Sequence, residues 1–263
     1  LFTNNNVVSK NKSSTFLLGI KSRRKVLDKI LLGNISYQIT GLMPFTDKQF
    51  ATIGNDWALP HKILSKKQIA QYKKIATDVG LRLKKAGWKG LFGIDVVVDE
   101  KTGRLYLLEI NARQPASTTY ESQLQSSVIP SHKGEESLSS AQKDAGYNSI
   151  YKPKEKGSLG SPPAGGSLGM TNELNTFEAH LLALLDIDLK NHKLIPITHG
   201  AQVVQRVTEH IPSLPEPKCR KKPPFGIIKY HNDKLGADLL RMQTASGVMA
   251  KHNKLNDVGK KMI

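Results

Sequence analysis

The chain has 263 residues, 38% hydrophobic and 23% charged, with 39 Lys+Arg against 22 Asp+Glu for a formal net charge of +17. That composition excludes disorder throughout and is enough for one large domain or two modest ones. No run approaches the roughly 18 apolar residues of a bilayer-spanning helix, the opening Leu1-Phe-Thr-Asn-Asn-Asn has no signal pattern, and a lone Cys219 excludes an intrachain disulfide and a cysteine-rich zinc site. The expectation is a cytoplasmic protein with no membrane partner.

Charge is front-loaded, with 20 Lys/Arg and 8 Asp/Glu in residues 1–120 against 19 and 14 in the rest. A polyanion-binding surface, with nucleic acid as the partner, competes here with a Lys-rich solvated surface. Basic runs such as Lys21-Ser-Arg-Arg-Lys25 and Lys218-Cys-Arg-Lys-Lys222 lack the interleaved Phe/Tyr that stacks on bases, which favours the solvated surface.

Residues 35–53, rich in β-branched and aromatic side chains and broken by Gly41, Pro44 and Asp47, read as two strands. Ser65-Lys-Lys-Gln68 is a capping box. It predicts a helix with Ile69, Tyr72, Ile75, Ala76, Val79 and Leu83 on one face and a stop at Gly87. Two apolar runs follow, 91–98 and 104–111, separated by Asp99-Glu-Lys-Thr-Gly103, the pattern of a hairpin. In residues 126–170, 21 of 45 are Ser, Pro or Gly, a composition expected to give a disordered insertion or linker. A helix capped by Asn175 or Thr176 is expected over 172–185, then strands at 201–207 and 225–230 and an amphipathic, Lys-rich end.

The hairpin carries the chemistry. Side chains two apart on a strand share a face, so Glu109 and Asn111 point the same way. A turn pairing Val98 with Arg104 sets Asp95 opposite Leu107 and diagonal to Glu109. Two carboxylates and an amide oxygen then converge, a hard-oxygen donor set suited to Mg²⁺ or Mn²⁺ with nucleotide phosphates completing the shell. The residues alone also allow Asp95, Glu109 and Asn111 to face solvent, neutralised by Arg113. The apolar runs on either side argue for burial instead, where unpaired carboxylates are costly.

Gly93-Ile-Asp95 followed by Glu109-Ile-Asn111-Ala-Arg113 resembles the metal-binding hairpin of ATP-grasp enzymes. The order Gly54-Asn-Asp-Trp57, helix, Gly-x-Asp, Glu-x-Asn-x-Arg looks like that of biotin carboxylase and carbamoyl-phosphate synthetase relatives. The resemblance implies an α+β fold, an ATP-grasp-like antiparallel sheet with packed helices. It implies that ATP and Mg²⁺ (or Mn²⁺) are held at Asp95, Glu109 and Asn111. Arg113 then acts as the catalytic cation beside a small carboxylate substrate, activated as an acyl phosphate for attack by an amine or another nucleophile. It covers roughly residues 35–125 and, more faintly, 172–188. The implied organisation is an ATP- and metal-binding region at 1–125, the insertion at 126–170 and a continuation with a basic tail at 171–263.

The residues before the first matched strand are too few for the lysine-bearing, glycine-flapped lobe of whole ATP-grasp enzymes. The expectation is a chain incomplete at its N-terminus and inactive in isolation, its ligase activity belonging to a full-length protein. A basic nucleic-acid-binding module and a degenerate scaffold are the rival readings. Among secondary candidates, His180 is expected to be a hydrogen-bonded helix residue, Asp56 and Trp57 either line the site or sit in the core, and His61, Lys62, Lys66 and Lys67 are expected on the solvated surface.

Overall fold

A computed structural model describes residues 11–19 (backbone only), 30–128, 172–213 and 225–263. Its frame is an eight-stranded antiparallel sheet in the order β5-β4-β1-β2-β3-β8-β10-β9. The strands are β1 (Asn11–Gly19), β2 (Ile30–Thr40), β3 (Thr52–Asp56), β4 (Gly90–Val98), β5 (Leu105–Asn111), β8 (Ala201–Arg206), β9 (Gly226–Lys229) and β10 (Asp238–Thr244). Two short pairs lie outside this sheet: β6 (Glu173–Leu174) with β7 (Lys193–Leu194), and β11 (Met249–Lys251) with β12 (Lys254–Leu255). The helices are α1 (Pro60–Ile63), α2 (Lys66–Lys85), α3 (Thr118–Val128), α4 (Thr176–Leu184) and α5 (Asp257–Lys260).

The capping box at the start of α2 is complete, Ser65 accepting from the Gln68 amide and the Gln68 side chain accepting from the Ser65 amide. Gly87, at φ +90°, follows its C-terminus, where a left-handed residue ends a helix without strain. From α2, Tyr72, Ala76 and Val79 pack on Ile35 of β2 and on Phe92, Ile94 and Val96 of β4. Each fully buried large side chain of this kind contributes about 1.5–3 kcal/mol, which fixes the helix to the sheet. On the same face, Tyr37, Ile39, Ile53 and Val203 pack with Val248, Met249 and Leu255 of the C-terminal hairpin.

Alternation along β4 sends Leu91, Gly93 and Asp95 to the opposite face. There α4 covers Leu91 through Ala179 and Ala183, and α3 contributes Tyr120 and Leu124 to a cluster with Trp57. Asn175 caps α4, with Glu178 closing the second half of the box.

Three elements differ from the sequence expectations. β1 inserts between β4 and β2, where no strand is expected from its polar first half. α3 extends to Val128, three residues into the Ser/Pro/Gly-rich stretch, the rest of which lies outside the described residues. The chain's end is not simply an amphipathic segment, because β10 joins the main sheet beside β8, burying Leu239 and Met242.

Candidate functional site

The hairpin register differs from the expected one, and the difference builds the site. Val98 pairs with Leu105 rather than Arg104, and Val96 with Leu107. If that register continued, Asp95 would face Leu108, and Glu109 and Asn111 would turn toward the α2 face. Instead a β-bulge at Leu108 advances β5 by one residue, setting Glu109 directly opposite Asp95 and Asn111 opposite Gly93. A bulge re-aims every side chain beyond it. Directly opposed residues have Cβ atoms about 5 Å apart, so Asp95 and Glu109 face each other rather than standing on the expected diagonal.

Both open into a cavity of about 320 Å³ on the sheet face opposite α2. Asp95 is buried on its floor, whereas Glu109, on the edge strand, is exposed. Asn111 and Arg113 line the wall, followed by Pro115, Ala116 and Ser117, which lead into the first turn of α3. Among the described residues, neither Glu109 nor Arg113 has an ion-pair partner. The structure therefore brings together all four residues singled out in the sequence: Asp95, Glu109, Asn111 and Arg113.

The cavity also contains residues that sequence reasoning missed. Gln38, Thr52, Asn55 and Arg206 come from β2, β3 and β8. Gln38 and Asn55 are register partners, and Gln202 continues the row on β8, so a polar stripe crosses the sheet. Asn55 donates to Ser36 Oγ at 3.1 Å. Arg206 is anchored by bonds from Nη1 to Asp238 Oδ1 (2.8 Å) and from Nη2 to the Thr52 carbonyl (3.0 Å). Alternating polar residues in these strands were the available signal; the strand order that brings Arg206 to Asp95 was not.

Other candidates fall outside the cavity. Asp56 is completely buried; its Oδ1 accepts from the Ala58 and Leu59 amides and its Oδ2 from those of Val248 and Met249, at 2.7–2.9 Å. Trp57 is core, packed on Tyr120. His180 Nδ1 accepts from the Leu91 amide at 3.1 Å, satisfying β4 where β5 has ended, and burial lowers its pKa. His61, Lys62, Lys66 and Lys67 do not line the cavity.

A further buried carboxylate lies one helical turn into α3. Glu121 is fully buried, with Oε1 accepting from Asn34 Nδ2 (2.9 Å) and Thr176 Oγ1 (3.3 Å) and Oε2 without a partner. Burial outweighs both bonds and raises its pKa to about 7.

No group of three or more His, Cys, Asp or Glu able to hold a metal occurs among the described residues. The donor set of the cavity is two carboxylates and an amide oxygen. This fits a hard cation such as Mg²⁺, which commonly takes one or two carboxylates and completes its shell with water and phosphate. No helix of the described residues is long and apolar enough to cross a membrane.

No protein-family model and no curated protein matches the sequence. Solved structures do match. N5-carboxyaminoimidazole synthetase from Staphylococcus aureus, complexed with ADP, is similar with a TM-score of 0.52 at 12% identity, over 96% of this chain and 47% of that one. This chain has part of an ATP-grasp fold. The biotin carboxylase domain of 2-oxoglutarate carboxylase from Hydrogenobacter thermophilus, in complex with MgADP, ADP and bicarbonate, gives 0.52 at 8% identity over 91% of this chain and 42% of that one. The chain thus spans about half the length of these ATP-grasp structures, and at such identities the likeness is one of fold.

Proposed function

We propose that the cavity beside the bulged hairpin binds the phosphates of ATP together with Mg²⁺ or Mn²⁺, as part of an enzyme that activates a small carboxylate for attack by an amine or another nucleophile. The observation that carries this reading is the bulge at Leu108, which turns Glu109 and Asn111 onto the face of Asp95. Two carboxylates opposed across a strand pair repel each other, an arrangement that a cation between them relieves. Asp95, Glu109 and Asn111 would hold the ion, and a bound Mg²⁺ supplies charge neutralisation at the transferring phosphoryl group.

The chain's own residues supply the rest. Arg113, without an ion-pair partner among the described residues, orients an anionic substrate at the mouth of the cavity. The start of α3 presents the positive end of a helix on the same side, favourable for a carboxylate or phosphate. Arg206, held by Asp238 and the Thr52 carbonyl, keeps a second guanidinium at the opposite wall. Neighbours solved with ADP, one of them with MgADP and bicarbonate, support a nucleotide and a small anion as ligands.

The test is calorimetric titration of ADP and ATP into the chain with and without Mg²⁺. Binding is expected to require the metal and to fall at least tenfold in Glu109→Ala, with the fold unchanged by circular dichroism. Equal Mg²⁺-dependent binding by the two proteins would remove Glu109 from the site.

A further inference from the structure

The sheet face opposite the cavity is covered by α2, whose outward surface is strongly basic. Its 20 residues carry seven Lys/Arg (66, 67, 73, 74, 82, 84 and 85) and one acidic residue, Asp78. Lys66, Lys67, Lys73, Lys74, Arg82 and Lys85 are all exposed. Only Lys74 is paired with Asp78, at 2.8 Å; no acidic side chain among the described residues lies within ion-pairing distance of the other five. At 100° per residue these side chains fall on one broad face, directed away from Tyr72, Ala76 and Val79 in the core. At 1.5 Å per residue the face is about 30 Å long. At its N-terminal end, a notch of about 520 Å³ lies between Lys67 and Arg104 of the hairpin turn.

A face that serves only solubility interleaves both signs, because like charges along a helix repel. This one does not. We propose that the outer face of α2 binds the phosphate backbone of a nucleic-acid duplex without reading its sequence. The chemistry of the face selects this occupant. A membrane-surface helix needs a free apolar side, and the apolar side of α2 is committed to the core. A protein interface is anchored by buried aromatic and apolar side chains, whereas Leu81 is the one large apolar residue exposed on α2. Single strands are held by stacking on aromatic side chains, and the face has none. Rows of flexible ammonium groups over about 30 Å match duplex phosphates, whose neutralisation releases counterions.

The test is fluorescence anisotropy of the whole chain with a labelled 24-base-pair DNA duplex at NaCl concentrations from 50 to 200 mM. The logarithm of the binding constant is expected to fall linearly with the logarithm of salt. In the variant Lys67→Gln/Lys73→Gln/Lys74→Gln/Arg82→Gln the slope should diminish by about 3–4, as roughly 0.9 per lost phosphate contact requires, and affinity at 50 mM should drop at least tenfold. A charge-matched variant, Lys229→Gln/Lys251→Gln/Lys254→Gln/Lys261→Gln, should keep the slope, as should Lys67→Arg/Lys73→Arg/Lys74→Arg. Protection of the α2 lysines from acetylation by the duplex gives the same answer on unsubstituted protein. No duplex binding at 50 mM, equal losses in the two glutamine variants, tighter binding of a single strand, or unprotected α2 lysines would each overturn the proposal.

Discussion

Asp56 and Asp95 are both buried on one sheet, and they differ in what their oxygens face. Asp56 is closed in by four backbone N–H groups drawn from β3's end and from the segment entering β11. Hydrogen bonds to a charged group contribute about 1.5–3 kcal/mol each, and this carboxylate has no capacity left for a ligand. Asp95 instead opens on a cavity with a second carboxylate, Glu109, directly opposite. Like charges set opposite each other on a strand pair repel, and less so where one is exposed, as Glu109 is. One arrangement is closed on the backbone; the other faces a cavity with a second carboxylate, the arrangement that the proposed cation would occupy. Residue type and burial alone do not distinguish the two.

The sharpest way to break this contrast is at Asp56. Asp56→Asn leaves one oxygen for four donors and replaces the other by an N–H₂ facing them. It is expected to destabilise the fold by about 4 kcal/mol or more, read as a shift in urea midpoint. A loss under about 1 kcal/mol would make Asp56 a spectator. Glu121 is the intermediate case, buried yet only half satisfied. Its folded pKa is raised from 4.5 to about 7, so the folded state holds the proton more tightly than the unfolded chain. That contribution is fully present below about pH 4.5 and is lost as pH rises through about 7. Wild type should therefore lose up to about 3 kcal/mol relative to Glu121→Gln between pH 5 and 8. Parallel stability curves for the two proteins would mean that Glu121 is ionised throughout.

Local signals in the sequence matched local structure. Ser65–Gln68 and Asn175–Glu178 cap helices, and Gly103, at φ +65°, completes the hairpin turn. What needed the whole fold was not legible. β1 pairs with residues 30–38 on one side and 90–98 on the other, contacts that no local pattern encodes. α3, Thr-Thr-Tyr-Glu-Ser-Gln-Leu-Gln-Ser-Ser-Val, has too few apolar positions to show a helical stripe. The bulge at Leu108 carries no glycine or proline to announce it, so the regular ladder was the reasonable expectation. That Asp95, Glu109 and Asn111 share a face was legible because same-strand alternation survives a change of register, whereas Arg206 in the same cavity required the strand order.

The central claim, that Asp95 and Glu109 oppose each other for the sake of a cation, is tested most directly by thermal unfolding of wild type and Glu109→Gln, each with and without Mg²⁺ and ADP. Without ligands the variant, relieved of the repulsion, is predicted to be the more stable by up to about 1 kcal/mol. With Mg²⁺ and ADP the order should reverse, because only wild type gains the binding free energy. A variant that is no more stable without ligands, or that gains as much as wild type when they are added, would contradict it.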